Sequence, residues 1–596
     1  MNALHPYFHS FILPFMIGML VLFIIIIWKF YNWITRLDRR QRAVIKQTFF
    51  TTRIFPALWQ IIKEIFKEVL LHVNITRHSL RLGYMHRSIA FGWFLLIVVG
   101  FIETSFYFGL RPHAPWVPVF FRFFVHEPHN AVNRVFATIM DALLLYVLSG
   151  VMMAFIKSFY SRLVGMHKTT RLRWSDMLLR WALWLIFPLR LMSESITACL
   201  YGNGGFLTQG LGNLFNASFA YYTEIPFWTA YSFALGTFFV FLPFSRYMHI
   251  FAEPLLIVLR NMGVREGDTP TGYSQTEYSA CSRCGLCIDD CPLNTELNIN
   301  NIQAVYLLRN VRHKLPHRYA AKNCLMCDRC MAVCPVGIDI NTIRRQERDK
   351  GELDVHNSYD YVGNIQSFNA IGRVIYFGGC MSHLTPGIIE SMKKIFTAAH
   401  QKYWMMDENA TICCGRPLLQ QGFVHQAAEL RRKNTKIIAQ SHAQYLITSC
   451  PICYRSFTQE YNLPIKVLHH TEYIAMLLQC GKLKPKHTNL RVAYHDPCEL
   501  GRGCGIYDAP RTALQSVAAL AKVEKERASS MCCGCNLGNT ALDTTQQLKV
   551  RDATLLNLTK AQPDAIATAC PMCKKAFQHA THKQVFDVAE LIATQL

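Results

Sequence analysis

The sequence predicts a multidomain protein: a five-helix transmembrane bundle, a small α-helical domain, then two repeated α/β domains. Three observations predict it. Hydrophobic residues make up 51% of the 596 positions, and their long runs are concentrated before residue 260. Most of the 22 cysteines lie beyond residue 280, in C-x2-C or adjacent pairs. From residue 371 onward the chain repeats itself, with a period close to 120 residues. A chain of this length holds several domains. The net charge of +23 is better explained by basic loops at a membrane surface than by nucleic-acid binding. Membrane lipid is therefore an expected partner, and nucleic acid is not.

Five apolar runs are long enough to span a bilayer, near 11–31, 88–109, 135–156, 177–200 and 227–250. The first has no Lys or Arg before it and no small-residue cleavage pattern after it, so it reads as an anchor rather than a signal peptide. The loop after it is densely basic, from Arg36 to Arg87. The third-to-fourth loop carries Lys157, Arg162, Lys168, Arg171 and Arg173, whereas Tyr201 to Pro226 has no Lys or Arg. The positive-inside rule then places the amino terminus outside a plasma (inner) membrane and the C-terminal domains in the cytoplasm. Glu103, Asp141, Arg190 and Glu194 fall in the outer half of the spans. Such residues mark a quinone pocket or proton path, or simply pair for stability.

Two histidines, His86 at the start of the second span and His249 at the end of the fifth, lie at the cytoplasmic edge, where one heme iron could bridge them. Residues 227–260 resemble the last helix of the nitrate reductase gamma subunit family, a five-helix membrane cytochrome b. Its P-[FY]-S-[RK]-x-x-H signature matches Pro243, Phe244, Ser245, Arg246 and His249. That family binds two hemes through two histidines on each of its second and fifth helices. The positions for the outer pair hold Leu96 and Tyr231 here. The resemblance therefore implies one heme b, ligated by His86 and His249, with His78 as the alternative to His86, over a domain spanning 1–260.

The stretch 281–335 contains two copies of C-x2-C-x2-C-x3-C-P, the spacing that holds cubane [4Fe–4S] clusters, in which the fourth cysteine ligates the other cluster. Cys281, Cys284, Cys287 and Cys334 are then one set, and Cys324, Cys327, Cys330 and Cys291 the other. Zinc knuckles are the competing reading, but zinc takes its four ligands at looser spacing. The stretch resembles the two-cluster bacterial ferredoxins, and this domain is expected over 261–345, followed by a polar linker at 346–370.

The repeat places Cys380, Cys413, Cys414, Cys450 and Cys453 in one copy (371–485) and Cys498, Cys532, Cys533, Cys570 and Cys573 in the other (486–596). Short β-branched or aromatic runs precede Cys380, Cys450, Cys498 and Cys570, a pattern of cysteines at strand ends in an α/β sheet. Two adjacent cysteines cannot both reach one iron of a cubane with good geometry. The arrangement resembles the cysteine-rich CCG domain of heterodisulfide reductases and their relatives, which implies a noncubane [4Fe–4S] cluster in one or both copies. Structural zinc, or one live and one vestigial copy, is the plainer reading. Cys504 and Cys535 are spare thiols or a redox pair, and Cys199 and Cys480 carry no signal. No G-x-G-x-x-G, P-loop or flavin fingerprint occurs, so electrons must pass through a partner or a small carrier.

The domain order resembles the membrane-bound heterodisulfide reductase with its two subunits fused. It also resembles bacterial membrane oxidoreductases that link electron-transfer flavoprotein to menaquinone. That implies an oxidoreductase between the quinone pool and a cytoplasmic electron-transfer protein, a flavoprotein. A quinol-dependent disulfide reductase acting at the CCG sites and a pure electron-conduit component of a larger complex are the alternatives.

Overall fold

The computed structural model describes residues 8–109, 113–126, 131–160, 172–349, 373–535 and 542–596. Arg162, Lys168 and Arg171 of the basic loop lie outside the described residues, as does the expected linker from residue 350 on. The chain divides into two compact bodies, Met1–Gly285 and Leu286–Leu596. The division falls within the first cysteine motif.

Among the described residues, five helices of the first body are long and apolar enough to cross a membrane: Ser10–Thr35, Leu80–Tyr107, Ala131–Phe159, Trp174–Tyr201 and Ala217–Phe244. In hydrocarbon every backbone polar group must be bonded internally, and the helix does this within one segment. The first and fifth helices meet through glycine. A Cβ on Gly18 would stand 2.7 Å from the Gly236 Cα, and one on Gly236 would stand 2.3 Å from the Pro14 carbonyl oxygen. Small residues let membrane helices pack by backbone approach where the hydrophobic effect gives no drive.

The fifth span corrects the expected 227–250. Its helix begins at Ala217, where the Asn216 side chain accepts from the Phe219 amide, and runs through Pro226 to Phe241. The apolar run starts late because the first turns carry Tyr, Thr and Glu224, and the Glu224 carboxylate accepts from Thr197 Oγ1 at 2.8 Å. At its other end Pro243 lies in a short 3-10 turn, and Ser245 is extended, with φ −101° and ψ 179°. That break ends the span, and His249 opens a separate helix, His249–Asn261. His249 is therefore the first residue of an interfacial helix rather than the last of a span.

Between the first two spans lie helices Arg39–Phe49 and Ile54–Glu64, a π-helical turn Ile65–Leu70 and helix Val73–His78. His72, between the last two, has φ +51°, a left-handed conformation uncommon for a non-glycine residue.

The second body opens with short helices around the cysteines, then two four-stranded parallel sheets. Strands β1 (Val374–Phe377), β2 (Tyr403–Met405), β3 (Tyr445–Thr448) and β4 (Lys466–His469) take the order β2-β1-β3-β4. Strands β5 (Arg491–His495), β6 (Ala519–Ala521), β7 (Ala565–Thr568) and β8 (Gln584–Asp587) repeat it as β6-β5-β7-β8. One apolar core that includes Tyr376, Phe396, Tyr473, Tyr494 and Val588 packs the two copies together. In each sheet the order reverses between the two central strands. Open α/β sheets bind ligands at that switch point, beyond the carboxyl ends of the strands. Cys380 and Cys450 follow β1 and β3, and Cys498 and Cys570 follow β5 and β7.

Candidate iron–sulfur and heme sites

The first CCG set converges on one point. Cys414 is hydrogen-bonded by Cys413 and Cys453, which holds its thiol well below the ordinary range. Cys453 is also bonded to Cys450, and Cys380 feels both Cys450 and Cys414. Gly379, with φ +85°, brings Cys380 in. A Cβ there would stand 2.9 Å from Cys453 Sγ and 3.0 Å from Cys450 Cβ, so only glycine fits. Cys414, Cys450 and Cys453 are buried, and Cys380 is exposed.

The second set repeats the pattern. Cys533 is bonded by Cys532 and Cys573 and is likewise held low, Cys573 reaches Cys570, and Cys532 reaches Cys498. Cys570 and Cys450 are electrostatic neighbours, so the two sets adjoin. Five thiols gathered in each copy, most of them buried, suit a polynuclear iron core, which takes them up as thiolates.

A third set lines a cavity that includes Cys291, Cys324, Cys327 and Cys330, with Cys287 also on its wall. Burial and the neighbouring Cys324 and Cys327 push Cys291 up to about 12. Arg329 clamps Asp290 through two bonds, of 2.9 and 2.5 Å, which ties the two halves of the motif together. Cys532 bonds Cys327 and lowers the latter's pKa to about 6. Arg502 donates to the Cys327 carbonyl at 2.7 Å and to the Ser530 carbonyl at 2.6 Å. The remaining set is split between the bodies. Cys281 follows helix Gly272–Ala280 and Cys284 lies three residues on, in the first body, whereas Cys287 and Cys334 belong to the second.

At the membrane histidines, His249 Nδ1 lies 2.9 Å from the Arg246 carbonyl. A proton there leaves Nε2 as the acceptor nitrogen, the arrangement found in metal-bound histidine. His86 is within electrostatic reach of His249. Its nearest histidine is His72, whose ring stacks on it at 5.4 Å and whose Nδ1 lies 3.2 Å from the Leu70 carbonyl. His78, the expected alternative to His86, is exposed. His72 escapes a reading of the sequence because nothing there marks a left-handed turn after a π-helix. His86 and His249 carry the imidazole donors that a heme iron would take. Further along the spans, Leu96 and Tyr231 are buried in one apolar cluster, and Phe120 and Trp228 pack on the Tyr231 ring at 5.6 and 5.8 Å.

Glu103, Asp141, Arg190 and Glu194, the charged residues singled out in the sequence, are tied down. Glu103 pairs with Arg122 and Arg190 with Glu194, each at 2.9 Å. Asp141 accepts from the Leu207 and Thr208 amides at 2.7 and 2.9 Å. Near the fourth span's start, Asp176 accepts from the Arg246 amide at 2.7 Å and from Arg283 at 2.8 Å. One carboxylate thus joins the segment before His249 to the residue between Cys281 and Cys284.

Comparison with known proteins agrees with this geometry. A family model for the cysteine-rich CCG domain matches residues 374–458 and 492–578, and one for a 4Fe-4S dicluster domain matches 277–338. These domains define an iron–sulfur oxidoreductase. More particularly, the chain is a heterodisulfide reductase-like one. It is 24% identical over 394 residues to one subunit of the dihydromethanophenazine:CoB–CoM heterodisulfide reductase of Methanosarcina barkeri, covering 55% of this chain and 96% of that one. It is 26% identical over 370 residues to one subunit of the fumarate reductase (CoM/CoB) of Methanothermobacter marburgensis, covering 54% and 73%. With the EtfAB:quinone oxidoreductase of Syntrophomonas wolfei it shares 23% over 471 residues, covering 60% and 66%.

Proposed function

We propose that this protein passes electrons between the membrane quinone pool and a cytoplasmic flavoprotein of the electron-transfer type, through one heme b, two cubanes and the CCG clusters. The clusters and heme, when bound, supply one-electron transfer. The observation that carries the reading is the adjacency of the thiol sets: Cys327 touches Cys532, and Cys570 neighbours Cys450. At the membrane end Asp176 holds the His249 and Cys284 segments on one carboxylate. The thiol contacts within the second body would let an electron step between its centres without a mobile carrier. His86 and His249 would hold the heme, and the amino terminus would face outward. The test is turnover by the purified protein with reduced electron-transfer flavoprotein and a menaquinone analogue. Failure to oxidise the flavoprotein under conditions where quinol reduces the clusters removes that partner.

A second reading has an observation of its own. Both CCG copies keep all five cysteines, and the heterodisulfide reductase polypeptide from Methanosarcina barkeri is matched over 96% of its length. A quinol-dependent disulfide reductase would consume a low-molecular-weight disulfide without added protein.

A further inference from the structure

Six acidic and basic side chains alternate through the interior of the second body. Asp328 pairs with Arg455 at 2.5 Å, Arg455 with Glu499 at 2.9 Å and Glu499 with Arg416 at 3.0 Å. Arg416 then pairs with Glu460, and Glu460 with Arg345 at 3.5 Å. None of the six side chains is more than 15% exposed. The Gln420 amide completes Glu499 at 2.7 Å, and the Asn341 amide bonds Asp328.

Stability does not account for such a chain. Burying six charges costs desolvation that their mutual attraction barely returns, and well-packed apolar residues serve a core at least as well. The positions of its members are more informative. Asp328 follows Cys327, and Glu499 follows Cys498. Arg416 stands two residues after Cys414, and Arg455 two after Cys453. The chain therefore touches the backbone beside three thiol sets: the Cys324/Cys327/Cys330/Cys291 set and both CCG sets. Charge near a cluster is one of the determinants of its reduction potential, and groups outside the ligand shell tune a metal through it.

We propose that this alternating chain sets the reduction potentials of the three adjoining centres relative to one another, with Glu499 as its central positioning residue. The proposal rests on the cluster assignments above. Reduction adds a negative charge to a cluster. A buried anion beside it opposes that charge and a buried cation favours it. The balance of three carboxylates against three guanidiniums keeps the three centres close enough in potential to exchange electrons in either direction.

The test is a redox titration of the full-length, cluster-loaded protein, followed by electron paramagnetic resonance. Glu499→Gln is expected to move the adjoining centres to higher potential, and Arg455→Gln to lower potential. The double variant, which removes one charge of each sign, returns them near the wild-type values. Shifts of the same sign in both single variants, or shifts that accumulate in the double, would mean a packing defect and overturn the proposal. So would unchanged potentials. Where a single variant loses its iron, Glu460→Gln, one link further along, decides instead, with the same upward sign expected. Wild-type protein that yields no [4Fe–4S] signals refutes the cluster assignment itself and not the tuning.

Discussion

Cys532 of the second CCG motif hydrogen-bonds Cys327 of the dicluster motif. The two come from different domains of the sequence, yet their sulfurs share one apolar pocket with Leu325, Ile302 and Val550. An electron entering either cluster is then one contact from the other. Cys532→Ser is expected to remove one cluster, about four of the roughly sixteen cluster irons that four [4Fe–4S] centres hold. Anaerobic iron analysis with resonance spectra checks it. Zinc in place of half the iron would instead mean that the CCG sites are structural.

The heme reading makes a spectroscopic prediction. His249→Ala should abolish the b-type absorption and the heme content, and the wild type should bind one heme per chain. Two hemes per chain, or full occupancy in the variant, would contradict it. Leu96 and Tyr231, packed among aromatic rings, supply no imidazole for a second heme.

Charge movement gives a third. An α-helix rises about 1.5 Å per residue, so Leu96 lies roughly 15 Å from His86 along the span. Leu96 and Tyr231, at the positions where the cytochrome family holds its second heme, carry no imidazole. Quinone is therefore proposed to react in the inner half, beside His86 and His249, and to exchange protons with the cytoplasm. In sealed vesicles, turnover with a cytoplasmic-side partner should build no membrane potential. A potential that collapses on adding an uncoupler would return the quinone to the outer ion pairs.

The fourth concerns pH. His383, on the turn of helix after Cys380, lies 3.3 Å from the buried Asp407, which raises its pKa above the ordinary 6.5. A raised folded-state value means that the pair stabilises fully below pH 6.5 and loses that contribution as pH rises through the folded value. His383→Gln should melt below wild type at pH 6, with the gap closing toward pH 9. A gap that stays constant across that range would show that the His383–Asp407 contact is packing and not an ion pair.

Short-range spacing was enough to reveal five apolar runs, the doubled C-x2-C-x2-C-x3-C-P, and a repeated set of five cysteines before and after strands. Each is a local signal, because a span is set by length and apolarity and a cluster site by the reach of one loop. Where the chain breaks, and what meets across it, depended on the folded chain. The fifth span ended at Phe244 and not at residue 250 because Ser245 is extended, a backbone choice that hydropathy does not register. His72 reached His86 only through a left-handed residue. Asp328, Arg416, Arg455 and Glu499 read in sequence as unrelated charges beside cysteines. They became one chain because parallel sheets bring the ends of distant strands together, and a buried charge must find its partner wherever the fold has placed one.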